Sequence, residues 1–363
     1  MQNRRQLITG IAAAALIVST GALASSQTFE GKTVKLVVPF KEGGGSDSYA
    51  RTFQPFLSKH LPGNPRIIVV NQPGGGSIKG SNKFQRTKGD GLTAMIASTS
   101  TFTSSIFGGS KAKYDITTWE PVVLSPQGSV LFTISKTGIG KMSPVEAAKK
   151  LGAGSYKFGI KSPTGSELRA VAAFNLLGIN NIQPVFGLSA GDRRQAMVRG
   201  ELDLGVEPFS AYRKKVAPYV KTGELTPFAT LGFVNESGDI VRDPGLPDTK
   251  TVLEIYKELN GKAPEGPLWR AYLNLINMGV MTSKSLNLPK GTPSEIVKIW
   301  TKAVKSTLAD PEFIKASGGD FSIYPQLHGD PAKAAIANAL NMDDAQRQWF
   351  FTWIEKTMGV PVK

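Results

Sequence analysis

The sequence predicts an α/β protein with mostly parallel sheets and helices on both faces. Short β-branched runs recur along the chain, each ends at a proline, glycine or hydroxyl cluster, and each is followed by helical spacing. With 363 residues, 40% of them hydrophobic, the chain can bury a large core, and its length suits two domains of roughly 150 residues.

The first strand is Val34–Val38, which stops at Pro39 and leads through a glycine loop, Gly43 to Gly45, into a helix starting near Asp47. Ile67–Val70 repeats the strand signal and ends in Asn71-Gln72-Pro73-Gly74-Gly75-Gly76, before a helix reaching about Thr87. Ala94–Ala97 is a third strand and breaks into the hydroxyl-rich stretch Ser98 to Ser105. Further strands fit 122–124, 130–134, 158–160, 184–186 and 204–206, with helices near 143–151, 166–177, 191–199, 293–308 and 332–356. Residues 233–250 are polar and rich in Pro and Gly, as a surface connector would be. In sheets of this kind a ligand crevice lies beyond the carboxyl ends of the strands, where the glycine and hydroxyl loops fall.

Composition removes several chemistries. No cysteine is present, which excludes disulfides, thiolate metal sites, a cysteine nucleophile and an N-terminal lipidated cysteine, and only His60 and His328 could supply imidazole. No metal or cofactor is expected. The 43 Lys and Arg outnumber the 28 Asp and Glu, a net +15 that favours anionic partners. Arg4 and Arg5, the apolar run Leu7–Val18 and Ala22-Leu23-Ala24 predict a signal peptide over residues 1–24, by the Sec or twin-arginine route. Its removal leaves 41 basic against 28 acidic side chains, +13. An exported basic protein points to anionic solutes or surfaces and away from nucleic acid.

No P-loop spacing accompanies the glycines, and no G-x-G-x-x-G opens a helix. Gly187-Leu188-Ser189-Ala190-Gly191 matches G-x-S-x-G between a strand-like and a helix-like segment, with His328 downstream, so an exported α/β-hydrolase using Ser189 is the alternative reading. Against it, His328 sits in a turn-like segment, and five-residue patterns arise by chance among 39 glycines. The loops Phe40–Asp47 and Ser162–Ser166 read better as anion receptors, because each turns into a helix whose first N–H groups and dipole face one spot. Ser46, Asp47, Thr164 and Ser166 equally suit helix capping.

Pro39-Phe40-x-x-Gly43-Gly44-x-x-Asp47-x-x-Ala50-Arg51, Val69-Val70-Asn71-x-Pro73-Gly74-Gly75-Gly76 with Gly80, and Asp90-Gly91-Leu92-Thr93 resemble the tripartite tricarboxylate transporter substrate-binding proteins, the Bug family. Trp119–Val123, Arg199–Asp203, Leu288–Pro293 and Asp310-Pro311-Glu312 extend the resemblance over essentially the whole mature chain. It implies a periplasmic binding protein of type II, two doubly wound α/β domains with a ligand cleft between them: residues 28–127 with 230–363, and 128–229. It also implies a monomeric, non-enzymatic receptor that hands a small carboxylate to a large and a small membrane subunit. By the same resemblance Phe40, Gly43, Gly44, Ser46 and Asp47 hold one carboxylate through backbone amides and waters. Ser98, Thr99 and Ser100 follow the third strand, Ser162, Thr164, Gly165 and Ser166 grip the other end of the ligand, Phe186 and Ser189 form an aromatic-then-small loop, and Asp203 matches an acid that faces the ligand in some members.

Lys41 and Glu42 replace small residues of that pattern, Ser77 stands where glycine is usual, and the approach from Trp269 to Ser285 is unlike the family's. Trp269, Tyr272, Leu273, Ile276 and Met278 read as core, as do Trp349, Phe350 and Trp353 of the last helix. The ligand contacts are expected to be neutral, with the charge excess a diffuse field that affects on-rate and salt sensitivity.

Overall fold

A computed structural model describes residues 28–235 and 237–361; the expected signal peptide lies outside the described residues. Twelve strands form two five-stranded sheets and a small hairpin. The first sheet holds β1 (Thr33–Val38), β2 (Arg66–Asn71), β3 (Thr93–Ser98), β4 (Glu120–Ser125) and β12 (Lys284–Leu288), in the order β2-β1-β3-β12-β4. The second holds β5 (Ser129–Ile134), β6 (Tyr156–Ile160), β7 (Ile182–Phe186), β8 (Leu204–Pro208) and β9 (Leu225–Thr230), in the order β7-β6-β8-β5-β9. Within the expected connector, β10 (Phe233–Val234) and β11 (Ile240–Val241) pair as the hairpin.

Each sheet carries one reversed strand. β12 runs antiparallel to β3 and β4, and β5 runs antiparallel to β8 and β9. The chain passes directly from β4 to β5 through residues 126–128, so β5 starts at the end of its sheet where its parallel neighbours finish. Ser129 is accordingly opposite Pro208, the last residue of β8, and Lys284 is opposite Ser98, the last residue of β3.

The helices that matter for the cleft are α1 (Gly45–His60), α2 (Ile78–Phe84), α3 (Thr99–Phe107), α4 (Pro144–Gly152), α5 (Leu168–Leu176) and α6 (Ala190–Val198). Alternation along β1 divides the core: Val34, Leu36 and Val38 pack with Phe53, Leu57, Trp300 and Phe313, while Val37 faces a second layer with Met95 and Ala97. That second layer continues through Leu124 and Leu131 to Phe158 and Phe174 under the other sheet. The helix Gly266–Ile276 lies against α5, and the helix Asp344–Met358 lies near β7, with Trp353 Nε1 donating to Asn175 Oδ1 at 3.1 Å. Tyr272, Ile276, Met278 and Phe350 are buried; Trp269, Leu273, Trp349 and Trp353 are half-buried. Among the described residues no helix is long and apolar enough to cross a membrane.

Candidate functional site

The carboxyl ends of the parallel strands face one another across a cavity of about 300 Å³. From the first sheet, Phe40, Gly44 and Ser46 line it, with Gly44 as the N-terminal cap of α1. The first N–H groups of a helix have no intrahelical acceptor, so this turn offers donors to the cavity. Asp47 does not line it. One carboxylate oxygen accepts from Gly43 N and Arg51 Nε, both at 3.0 Å, and the other from Asn71 Nδ2 at 3.1 Å. Asn71 also donates to Phe40 O at 3.0 Å. Burial acts to raise the Asp47 pKa, but Arg51 and these donors together leave it below the ordinary value. Asp47 thus shapes the loop, while Gly43, at φ +75°, lines a neighbouring smaller cavity.

The glycine loop after β2 closes one wall. A Cβ on Gly76 (φ +70°) would meet Ser162 Oγ of the opposite half at 2.6 Å, so only glycine permits this approach. Ser77, where glycine is usual in the pattern, has φ +117° and is fully buried.

Ser98 and Thr99 also line the cavity; Thr99 Oγ1 donates to Gly279 O at 3.2 Å. Ser100 lies behind them and bridges the halves, its hydroxyl oxygen accepting from Lys161 Nζ at 3.2 Å and Ser166 N at 3.1 Å. Thr103 Oγ1 donates to Thr164 O at 2.8 Å. Thr164 therefore belongs to the seam between the halves, Ser162 and Ser166 to the cavity wall, and Gly165 to neither, its nearest neighbours being Ser162 and Glu167 of its own half.

Two further expected residues, Phe186 and Asp203, lie away from the cavity and from the seam. Phe186 ends the edge strand β7 and is 37% exposed. Asp203 precedes β8, where its carboxylate accepts from Lys157 N at 2.8 Å at the end of the sheet remote from the cleft. Ser189 does line the cavity, and its hydroxyl caps α6 by accepting from Asp192 N at 3.3 Å. His328 lies at the other sheet, with Nδ1 2.9 Å from Val122 O, and does not line the cavity. A Ser189–His328 pair for nucleophilic catalysis is not assembled.

The expectation of a neutral site does not hold. Lys41, Lys161, Arg169, Arg193 and Lys284 line the cavity against the single acid Glu207. Arg193 pairs with buried Glu167 and Arg194 with Glu207, each at 2.7 Å. Lys161, Arg169 and Lys284 form no ion pair among the described residues, although Arg169 Nη1 donates to Ser166 O at 2.7 Å. Arg169 Nε and Ser162 Oγ are buried without a hydrogen-bond partner, and both residues line the cavity. Burial favours a neutral Glu167, but Arg193, Lys161 and Arg169 outweigh it and hold its pKa at about 2. Burial, followed by Arg169 and Lys161, pushes Lys284 down to about 7, and burial lowers Arg169 to about 10. Lys161 follows β6 directly, so the strand-end rule could have found it; Arg169 and Arg193 sit in first turns of helices. Lys284 has no readable signal, because its strand lacks the β-branched pattern of the others.

A short π-helical turn, Asn277–Met281, precedes β12 and packs Gly279 against Arg169, where a Cβ would come within 2.6 Å of Arg169 Cδ. This widened turn makes room for the guanidinium.

No family model matches the sequence. The chain is 24% identical over 317 residues to a UPF0065 protein of Bordetella pertussis, covering 85% of this chain and 86% of that protein. Its structure superposes on the periplasmic binding protein BugD with a TM-score of 0.67 and 18% identity, over 89% of this chain and 97% of BugD. It superposes on MatC of Rhodopseudomonas palustris, solved with bound malate, with a TM-score of 0.62 and 19% identity, over 90% and 98% of the two chains. The chain is similar over most of its length to UPF0065 proteins and over 93 residues, at 29% identity, to the protein BugT of Bordetella pertussis, and it has the α/β fold of periplasmic binding proteins.

Proposed function

We propose that the chain is a periplasmic solute-binding receptor that captures a small organic anion, a mono-, di- or tricarboxylate, and delivers it to the large and small membrane subunits of a tripartite tricarboxylate-type transporter. It acts as a monomer, without catalysis, after export through its N-terminal signal. The observation that carries this reading is the buried Arg169 Nε and Ser162 Oγ, donors without partners in a wall that also holds the unpaired Lys161 and Lys284. A buried cation without a counterion is costly, and a bound carboxylate supplies the counterion and the missing acceptors together. The malate bound to MatC supports the carboxylate class. Micromolar affinity, about −8 kcal/mol, is within reach of a few charge-assisted hydrogen bonds.

Calorimetry with mono-, di- and tricarboxylates tests the reading. Saturable binding by at least one, with a rise in melting temperature, is expected. Indifference to all three classes sinks it.

A further inference from the structure

Lys284 opens β12, set between Ser98 of β3 and Ser125 of β4. It lines both the main cavity and the smaller one of about 80 Å³, and shares that position only with Gly45 and Pro208. Its ammonium donates to the adjacent Ser283 O at 3.1 Å, which leaves two further N–H positions. From the second half Lys161, Arg169 and Glu207 act on it, and Arg194 already pairs with Glu207. On its other side, Lys214, Lys215 and Asp320 line the smaller cavity, with Asp320 held by Lys214 at 2.8 Å. Tyr49, in the same wall, shares a hydrogen bond with Ser125 Oγ at 2.9 Å. No carboxylate is committed to Lys284, and its electrostatic neighbours are mostly cations.

We propose that Lys284 couples anion capture to proton uptake: a carboxylate seated between Lys161, Arg169 and Lys284 supplies the counterion that Nζ lacks in the empty receptor, and Nζ takes up a proton as the ligand binds. The inference rests on the anion-receptor reading above. One proton moves from buffer to Nζ, and the ammonium then pairs with the ligand. Burial and the adjacent cations hold the free group near 7, which places the effect in the physiological range. The ligand is a counterion that reverses this, so the two equilibria are linked. Lys284 thereby becomes a specificity residue that weights ligand charge and ambient pH.

Calorimetric titration of the purified protein with citrate, malate and adipate, in Tris and in HEPES at pH 8, reads the proton count. Uptake of about one proton per ligand is expected at pH 8 and about half at pH 7, with Kd rising about tenfold from pH 8 to pH 9. Lys284→Arg should bind without proton uptake and with a flat pH profile, while Lys284→Met should bind weakly and also without uptake. Binding heats that do not depend on buffer, or uptake that persists in Lys284→Arg, overturn the proposal. In ligand-free protein carrying ¹³Cε-lysine, one lysine should titrate near neutrality and be missing from Lys284→Met; its absence also overturns the proposal. Failure of all three acids to bind would instead remove the anion-receptor reading on which the proposal rests.

Discussion

Lys161 Nζ lies 4.7 Å from the centroid of the Phe40 ring, joining the loop after β6 to the loop after β1 across the cleft. A cation over an aromatic face contributes about 0.5–1 kcal/mol where water still reaches it. Phe40→Leu keeps apolar volume and removes the ring's quadrupole. Its Kd for a carboxylate, measured by calorimetry, should rise roughly two- to fivefold.

Arg169 is held in a costly state that the ligand relieves. Arg169→Met should raise Kd by about 2 kcal/mol or more, a factor above roughly thirty, because truncating a buried charged contact costs at least that. Ligand-free stability should hold or rise, since a buried cation bonded only to Ser166 O is replaced by an apolar chain. Thermal melts with and without ligand read both; a lower melting temperature in the ligand-free variant would refute the account.

Ser77 adopts a backbone conformation that glycine occupies without strain. Ser77→Gly should stabilise the protein by about 1 kcal/mol in urea denaturation, relief of strain exceeding the entropy lost with the side chain. The opposite change at the neighbouring position, Gly76→Ala, should weaken ligand binding because its Cβ would push against Ser162.

Acid should expose the Glu167 contribution. Its folded pKa of about 2 lies below the unfolded value, so its stabilisation is complete above about pH 5 and is lost as pH falls towards 2. A shift of this size corresponds to about 3 kcal/mol. The stability gap between wild type and Glu167→Gln, measured by denaturant titration, should therefore shrink between pH 5 and pH 2. A gap that stays constant over this range would contradict the assignment.

The strands most legible in the sequence are those whose side chains are apolar on consecutive positions, such as β1 and β3. β12, Lys-Ser-Leu-Asn-Leu, escapes a reading by pattern because it has no β-branched residue and buries polar Ser285 and Asn287. The stretch after β3 reads as a hydroxyl-rich break, yet it forms α3. There Thr103 and Ser105 bond back to carbonyls of their own helix, and tertiary burial overrides weak propensity. The helical pattern over 332–356 is two helices, divided where Asp343 caps the second by accepting from Gln346 N at 2.7 Å. At the site, the glycine and hydroxyl loops are visible as local motifs. Most of its charges are not: Arg169 and Arg193 sit in the first turns of two helices of the second half, and Lys284 reaches them from β12 of the first sheet only when the two sheets face each other.

The π-helical turn at Asn277–Met281 amounts to one residue more than an α-helix needs. Removing that residue would draw β12 back by one position against β3 and β4, and in a pleated strand a single step exchanges inner and outer faces. Lys284 would leave the cleft rim and its neighbours would be inverted in the sheet core. The length of this segment is therefore under a parity constraint: single-residue insertions or deletions between Ile276 and Lys284 should be far less tolerated than substitutions there.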